Sequence, residues 1–285
     1  MRVLSLFDGI SCARVALDRA GLPVEAYLAS EIDPHAIAIS TKNYPDILRL
    51  GDVRSVKDVG PIDLLIGGSP CQDLSIAKKD RKGLGGDRSG LFWEYVRVLR
   101  EVKPTWFVLE NVASMPKADR DIITREMGVE PVLIDASLVS AQSRKRLFWT
   151  NIPVVQPEDR GILLRDILEA EVDPSYEVHG AFTPTWGSRQ IGHLGRTNGQ
   201  GSRVYAPDGK SVCLSAHGGG GGAKTGLYGI GGRVRKLTPV ECERLQGLPD
   251  GYTEGVAKTH RYKALGNAFH VEVVAHILRG VGGSR

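Results

Sequence analysis

Between residue 2 and about residue 150 the chain alternates short apolar runs with helix-length segments, and several of the runs stop at a glycine or a carboxylate. RVLSL at 2–6 is followed by an Ala/Leu/Arg stretch at 12–20, then by AYLAS, then by a helical pattern at 34–43. The rhythm continues with IDLLIGG at 62–68, LFWEYVRVLREV at 91–102 and WFVLEN at 106–111. Short apolar runs separated by helices do not pair as hairpins. They predict buried parallel strands with covering helices, an α/β architecture.

Near residue 151 the rhythm stops. Residues 178–232 hold 16 of the 35 glycines, including the run Gly218 to Gly222, and read as loops and short strands. Residues 178–236 carry eight Lys/Arg against one acid, Asp208, a net +7 that leaves −3 for the rest of a chain whose total is +4. A mildly acidic body with a basic insert suits a polyanionic partner; on charge alone a solvated basic loop fits equally. A helical signal returns at TPVECERLQGL, where Thr238 and Glu241 have the spacing of a capping box, and a last helix is expected at about 268–279. The expected organisation is a catalytic and cofactor-binding domain over 1–170, a small basic domain over 171–234, and a C-terminal part, 235–285, that completes the first.

With 285 residues, 41% of them apolar and 25% charged, the chain has the composition of a globular protein rather than a disordered or disulfide-scaffold one. Cys12, Cys71, Cys213 and Cys242 stand 59, 142 and 29 positions apart, so no zinc spacing exists, no metal is expected, and free thiols in a reducing compartment follow. No apolar stretch approaches the roughly 18 residues of a membrane span, and the start MRVLSLFDG lacks a cleavable-signal layout, so a cytoplasmic protein is expected.

The first strand runs into Phe7-Asp8-Gly9-Ile10-Ser11 and then a helix, where a doubly wound sheet meets its ligand. The second ends at Glu31, 23 residues after Asp8, about where an acid holds the ribose of a nucleoside cofactor; the third ends near Gly51-Asp52-Val53. Neither GxGxxG nor GxxxxGK[ST] occurs, which disfavours pyrophosphate cradling of NAD or ATP. A nucleoside cofactor without phosphates fits better, and S-adenosylmethionine has a sulfonium that tolerates nearby carboxylates. For Phe7 a place as simple core filler is the lesser alternative.

After the fourth strand comes Gly67-Gly68-Ser69-Pro70-Cys71-Gln72-Asp73-Leu74-Ser75, a cysteine on a glycine-rich, Pro-stiffened loop at a central strand's carboxyl end. A lone cysteine is more often an inert buried thiol; the loop raises the odds for Cys71. Glu110-Asn111-Val112 ends another strand, and Gln142-Ser143-Arg144-Lys145-Arg146 offers two arginines that face one side if the segment is extended.

The ordered set FDGIS, SEID, GDV, GGSPCQDLS, ENV, QSRKR, RKLTPVECERLQGLPDGYT and RYKALGNAF resembles the motif series of the DNA cytosine-5 methyltransferases over nearly the whole chain except the basic segment. FDGI, GDVRSV and GGSPCxDLS are also similar to the animal de novo enzymes, while the ending resembles bacterial and phage members. Asp73-Leu74 replaces the usual Gly/Asn-Phe, and Ala268 follows Asn267 where Ser is usual.

The resemblance implies a Rossmann-like class I S-adenosylmethionine-dependent methyltransferase fold with a small target-recognition domain. It implies Cys71 as the nucleophile that adds to cytosine carbon 6, Glu110 as the acid at ring nitrogen 3, and Arg146 with Arg144 at oxygen 2 and the active-site loop. It places Phe7, Asp8, Gly9 and Ile10 along the S-adenosylmethionine, Glu31 and Ile32 at the ribose side, Asp52 and Val53 at the adenine, and Pro70, Leu91 and Asn267 closing the pocket. The product is S-adenosylhomocysteine. The target cytosine must be flipped out of double-stranded DNA. Gln72 and Ser75 are candidates for holding the opened strand, and Arg189, Arg196, Arg203, Lys224, Arg233 and Arg235 for contacting DNA. The implied setting is a monomer with a cognate restriction endonuclease as a further partner.

Three rivals remain at this level: a tRNA cytosine-5 methyltransferase, a catalytically inactive DNA-binding accessory subunit, and a Rossmann-like oxidoreductase. The basic glycine-rich reader argues for duplex DNA over folded RNA; intact Cys71, Glu110 and Arg146 argue against an inactive copy.

Overall fold

Each strand expected in the first 150 residues forms, in a computed structural model that describes residues 1–70, 89–185, 187, 189–216 and 221–282. The order is β1 (Arg2–Leu6), α1 (Cys12–Ala20), β2 (Ala26–Ser30), α2 (Pro34–Asn43), β3 (Leu48–Arg49), β4 (Leu64–Gly67), α3 (Phe92–Val102), β5 (Trp106–Val112), α4 (Lys117–Met127), β6 (Val132–Asp135) and β7 (Lys145–Thr150). They build a seven-stranded sheet in the order β3-β2-β1-β4-β5-β7-β6. The first five strands are parallel, and β7 lies antiparallel to both β5 and β6. An all-parallel sheet is therefore corrected at its last strand. Only residues 136–144 join β6 to β7, fewer than a parallel crossover needs.

The chain divides into two compact units, the first made of Met1–Asp135, Lys145–Gln156 and the stretch from Val273, the second of Ala136–Arg144 and Pro157–Glu272. The second unit thus takes in more chain than 171–234. Its five-stranded sheet runs β12-β11-β10-β9-β8, from β8 (Phe182–Pro184), β9 (Gln190–Leu194), β10 (Arg203–Tyr205), β11 (Leu227–Ile230) and β12 (Arg233–Arg235), antiparallel except for β10 with β11. Helix α5 (Pro239–Gln246) opens on the expected capping box of Thr238 and Glu241. Helix α6 (Lys258–Asn267) was not anticipated, because in KTHRYKALGN only Tyr262, Leu265 and Gly266 are buried and no apolar stripe marks it. Helix α7 (Val271–Leu278) is the expected last helix.

In the first unit Leu4, Leu6, Leu65, Leu109, Leu147 and Trp149 pack with Phe92, Tyr95 and Val96 of α3 and Ile123 and Met127 of α4 in one cluster. This packing fixes the strand ends. Gly67 ends β4 where a Cβ would lie 2.8 Å from the Leu6 carbonyl oxygen and 3.2 Å from the Tyr95 ring. Only glycine allows β1 and the buried tyrosine to come so close at the edge of the site.

Candidate active site

The parallel register aligns Ser30 with Leu6, Leu6 with Gly67, and Gly67 with Leu109. One residue further on, four neighbouring strands present Glu31, Phe7, Gly68 and Glu110 in a row. Strands lie about 4.8 Å apart, so the backbones carrying Glu31 and Glu110 are separated by roughly 14 Å. The row lies at the switch point of the sheet, between β1 and β4, where open α/β sheets bind ligands.

The turn after β1 is left-handed at Phe7 (φ 57°), Gly9 (φ 58°) and Ser11 (φ 60°). Such a conformation at two non-glycine residues costs of order 1–2 kcal/mol each, so the surroundings must impose it. The Gly9 N–H donates to Glu31 Oε2 at 2.8 Å, and the other carboxylate oxygen accepts from Ile32 N and Asp33 N, both at 2.8 Å. Glu31 is thus oriented by three backbone donors. Beside it the Ile32 side chain is 66% exposed, an apolar surface at a strand end. Ile10 and Val53 are buried in the core, while Phe7, Pro70 and Leu91 are half-buried. Asp52 caps the short turn Val53–Ser55 and pairs with Arg54 at 2.6 Å; that hydrogen bonding holds its carboxyl below the usual range. Arg97 of α3 donates to the carbonyls of Val53 and Val56, both at 3.0 Å, and so anchors this turn.

The structure turns the Asp8 side chain inward. It is fully buried and accepts from Tyr27 Oη at 2.7 Å and from the Ser11 hydroxyl, and burial raises its pKa despite these bonds.

On the other side of the switch point, Arg146 stands opposite Val112 and Phe148 opposite Glu110 in the β5–β7 ladder. Glu110 and Arg146 are therefore diagonal neighbours on one face. Their side chains meet with Nε to Oε1 at 2.8 Å, the carboxylate 14% and the guanidinium 16% exposed. Asn111 points to the opposite face. Its Nδ2 donates to the Ser69 carbonyl at 3.3 Å and hydroxyl at 3.2 Å, while its Oδ1 accepts from Val112 N at 2.8 Å. This ties the end of β5 to the loop two residues before Cys71. Cys71, Gln72 and Ser75 lie outside the described residues. In sequence Asn111 is marked only as an amide beside the acid at a strand end.

The extended alternation expected for Arg144 and Arg146 does not reach Arg144, because β7 begins at Lys145. Arg144 belongs to the second unit, where its buried guanidinium donates to the carbonyls of Ala268 at 2.8 Å, Gly266 at 3.3 Å and Leu214 at 3.4 Å. It holds the peptides on both sides of Asn267, the last residue of α6. A Cβ on Gly266 would lie 2.2 Å from Ala216 N, so this crossing of two backbone segments demands glycine.

Among the basic residues, Arg189, Arg196 and Arg233 are exposed, and Arg203 and Lys224 half-buried. Arg233 pairs with Glu177 at 2.7 Å. Arg235 is corrected as a DNA contact. Its side chain is buried and bound through two nitrogens to Glu241, at 2.6 and 2.8 Å. A guanidinium already holding a buried carboxylate is not free for a phosphate. The buried Glu243 accepts from one nitrogen of Arg261, Nη2, at 2.9 Å, while Arg261 Nε donates to the Thr253 hydroxyl at 2.8 Å. Cys12, Cys213 and Cys242 stand outside any disulfide, and burial pushes the Cys242 thiol well up, as befits a structural residue.

A doubly wound sheet carrying acids at its switch point and a Glu–Arg pair on neighbouring strands defines a methyltransferase of the class I, S-adenosylmethionine-dependent fold. The sequence matches the family described as C-5 cytosine-specific DNA methylase over residues 1–173 and 189–282, and the chain belongs to that family. With the family goes DNA cytosine-5 methyltransferase activity. The chain is 29% identical to Type II methyltransferase M.HhaI of Haemophilus parahaemolyticus over 318 aligned positions, covering 100% of this chain and 95% of the relative. It is 27% identical to Type II methyltransferase M.NlaX of Neisseria lactamica, covering 97% and 94%. The crystal structure of the S. pombe Dnmt2 methyltransferase superposes with a TM-score of 0.72 at 21% identity, covering 99% of each chain, and shows the same fold.

Proposed function

We propose that this enzyme methylates carbon 5 of a cytosine flipped out of double-stranded DNA at a short specific sequence, with S-adenosylmethionine as methyl donor and Cys71 as covalent nucleophile. The observation that carries the site assignment is the Glu110–Arg146 contact of 2.8 Å on β5 and β7, with Asn111 of the same strand bonded to the Ser69 segment. Cytosine carbon 5 is a poor nucleophile until carbon 6 carries a temporary bond. The Cys71 thiolate forms that bond, which turns the ring into an enamine. Glu110 meets the charge that builds at ring nitrogen 3, and Arg146 fixes Glu110 while presenting positive charge to oxygen 2. With a methyl group on carbon 5, loss of the proton there to water breaks the bond between Cys71 and carbon 6, expels the thiolate and restores the aromatic ring.

The residues at the strand ends fit the cofactor. Glu31, aimed by three backbone donors, suits the ribose hydroxyls, and the exposed Ile32 suits an adenine face. Pro70, Leu91 and Asn267 are assigned to closing the pocket. When bound, the cofactor supplies the methyl group. Arg189, Arg196, Arg203, Lys224 and Arg233 are assigned to the DNA surface, with Gln72 and Ser75 holding the opened strand. No helix among the described residues is long and apolar enough to cross a membrane. The Type II naming of the relatives supports a cytoplasmic setting beside a cognate restriction endonuclease.

Base-resolution sequencing of unmethylated DNA, after incubation with the protein and S-adenosylmethionine, tests the reading. Methylated cytosines in one short context support it. No methylation of DNA by a protein that binds the cofactor overturns it.

A further inference from the structure

Asp8 stands in the middle of the cofactor turn, yet its carboxylate is fully buried and faces the protein. Its Oδ1 accepts from the Tyr27 hydroxyl of β2 at 2.7 Å. Its Oδ2 accepts from the Ser11 hydroxyl and lies 3.8 Å from Arg49 Nη1 at the end of β3. The Ser11 hydroxyl also contacts that of Ser40 on α2, which accepts from Arg49 Nη2 at 2.6 Å. A continuous polar network thus joins the turn after β1 to Tyr27 of β2, Ser40 of α2 and Arg49 at the end of β3.

The network explains two local oddities. Ser11 is the N-cap of α1, the position where a serine hydroxyl ordinarily accepts from the first turn of the helix, but here it makes no side-chain cap bond. Its hydroxyl is used by Asp8 and Ser40 instead. Ser11 also holds a left-handed backbone without being glycine, as Phe7 does. Asp8 lies between the two, its own N–H bonded to the Ser30 carbonyl at 3.0 Å and its carbonyl to Ser11 N at 3.1 Å. Clamping Asp8 at backbone and side chain fixes both left-handed residues and, between them, the direction of the Gly9 N–H toward Glu31.

We propose that Asp8 is a positioning residue for the cofactor turn: through Tyr27, Ser11, Ser40 and Arg49 its carboxylate holds the Phe7–Ser11 backbone in the form that binds S-adenosylmethionine, without touching the cofactor itself. This rests on the cofactor reading above.

The experiment measures the dissociation constant for S-adenosylmethionine by calorimetry, KM for cofactor and for DNA, kcat at saturation, and Tm, for the wild type, Asp8→Ala, Asp8→Asn and Tyr27→Phe. Asp8→Ala leaves buried donors unmatched and is expected to weaken cofactor binding by about tenfold or more. KM for DNA and kcat at saturating cofactor stay near the wild-type values. Asp8→Asn restores most of the affinity, since its amide oxygen accepts from Tyr27 and its amide N–H donates to Ser11. Tyr27→Phe gives a smaller loss in the same direction. A folded Asp8→Ala with unchanged cofactor affinity overturns the proposal. If Asp8→Ala does not fold, unchanged affinity in Tyr27→Phe overturns it. A wild type that binds no S-adenosylmethionine overturns the site reading instead, so the two failures are told apart.

Discussion

Glu110 and Arg146 are placed on one sheet face by antiparallel register and meet at 2.8 Å, each still reached by solvent at about one-seventh of its side chain. A partly exposed pair of this kind contributes little to stability, typically under about 1 kcal/mol. Its value lies in holding a carboxylate and a guanidinium side by side at a strand end.

Removing either group should therefore cost turnover far more than folding. Arg146→Ala and Glu110→Gln are each expected to lower kcat by about 10²-fold or more and to leave Tm nearly unchanged. Arg146→Lys should fall between, because an ammonium keeps the charge without the planar fork. Single-turnover rates on a DNA substrate, taken with thermal melts, check this. The double variant should lose less than the product of the two single losses, since the residues act as a unit.

Cys71→Ser is expected to abolish turnover and spare DNA binding, and retained turnover would remove the nucleophile assignment. Asn111→Ala provides the companion test. It leaves the Ser69 hydroxyl and carbonyl without their buried amide partner, a loss of about 1–3 kcal/mol. The rate of adduct formation at Cys71 should drop while cofactor affinity holds, as read by trapping with a 5-fluorocytosine substrate.

The strands and helices that bear the site were legible because each follows a strong local rule. RVLSL, AYLAS and IDLLIGG are apolar runs closed by turns, and Thr238 with Glu241 announces α5. What was hidden depends on register and partners. Nothing in LFWT at 147–150 says that β7 runs antiparallel between β5 and β6; that follows from the short link before it. Basic residues 178–236 look alike in sequence, yet one of them, Arg235, is neutralised by Glu241 six positions away on a different element. Asp8 looked like a cofactor ligand because it sits in the right turn. Only the positions of Tyr27, Ser11 and Arg49 show which way its carboxylate faces.

The basic residues should accordingly separate into two behaviours. Arg196→Ala is expected to weaken DNA binding across sequences and to reduce the slope of log affinity against log salt by about 0.9 per lost phosphate contact. Arg235→Ala should instead strand the buried Glu241 carboxylate, at a cost of about 3–5 kcal/mol. It should lower Tm sharply, and any loss of DNA binding should disappear below the melting transition. Filter binding over a salt series, paired with calorimetric melting, distinguishes them. If Arg235→Ala melts like the wild type and changes the salt slope, the buried pair is not its role.

The buried Asp8 carboxyl also gives the fold a dependence on pH. Burial raises its folded-state pKa above the ordinary carboxylate value, and the bonds from Ser11 and Tyr27 and the charge of Arg49 only partly oppose this. The folded state therefore holds the proton more tightly than the unfolded chain. The stability that this contributes is fully present below the unfolded carboxylate pKa and is lost as pH rises through the folded one. Asp8→Asn keeps a neutral, hydrogen-bonding group at every pH and should remove that part of the decline. Denaturant unfolding of both proteins from about pH 4 upward should give a difference in unfolding free energy that moves in favour of the variant as pH rises, then levels off once the wild-type carboxyl is ionised. A constant difference across the range would mean that Asp8 has the same pKa folded and unfolded, and that its partners and Arg49 fully offset its burial.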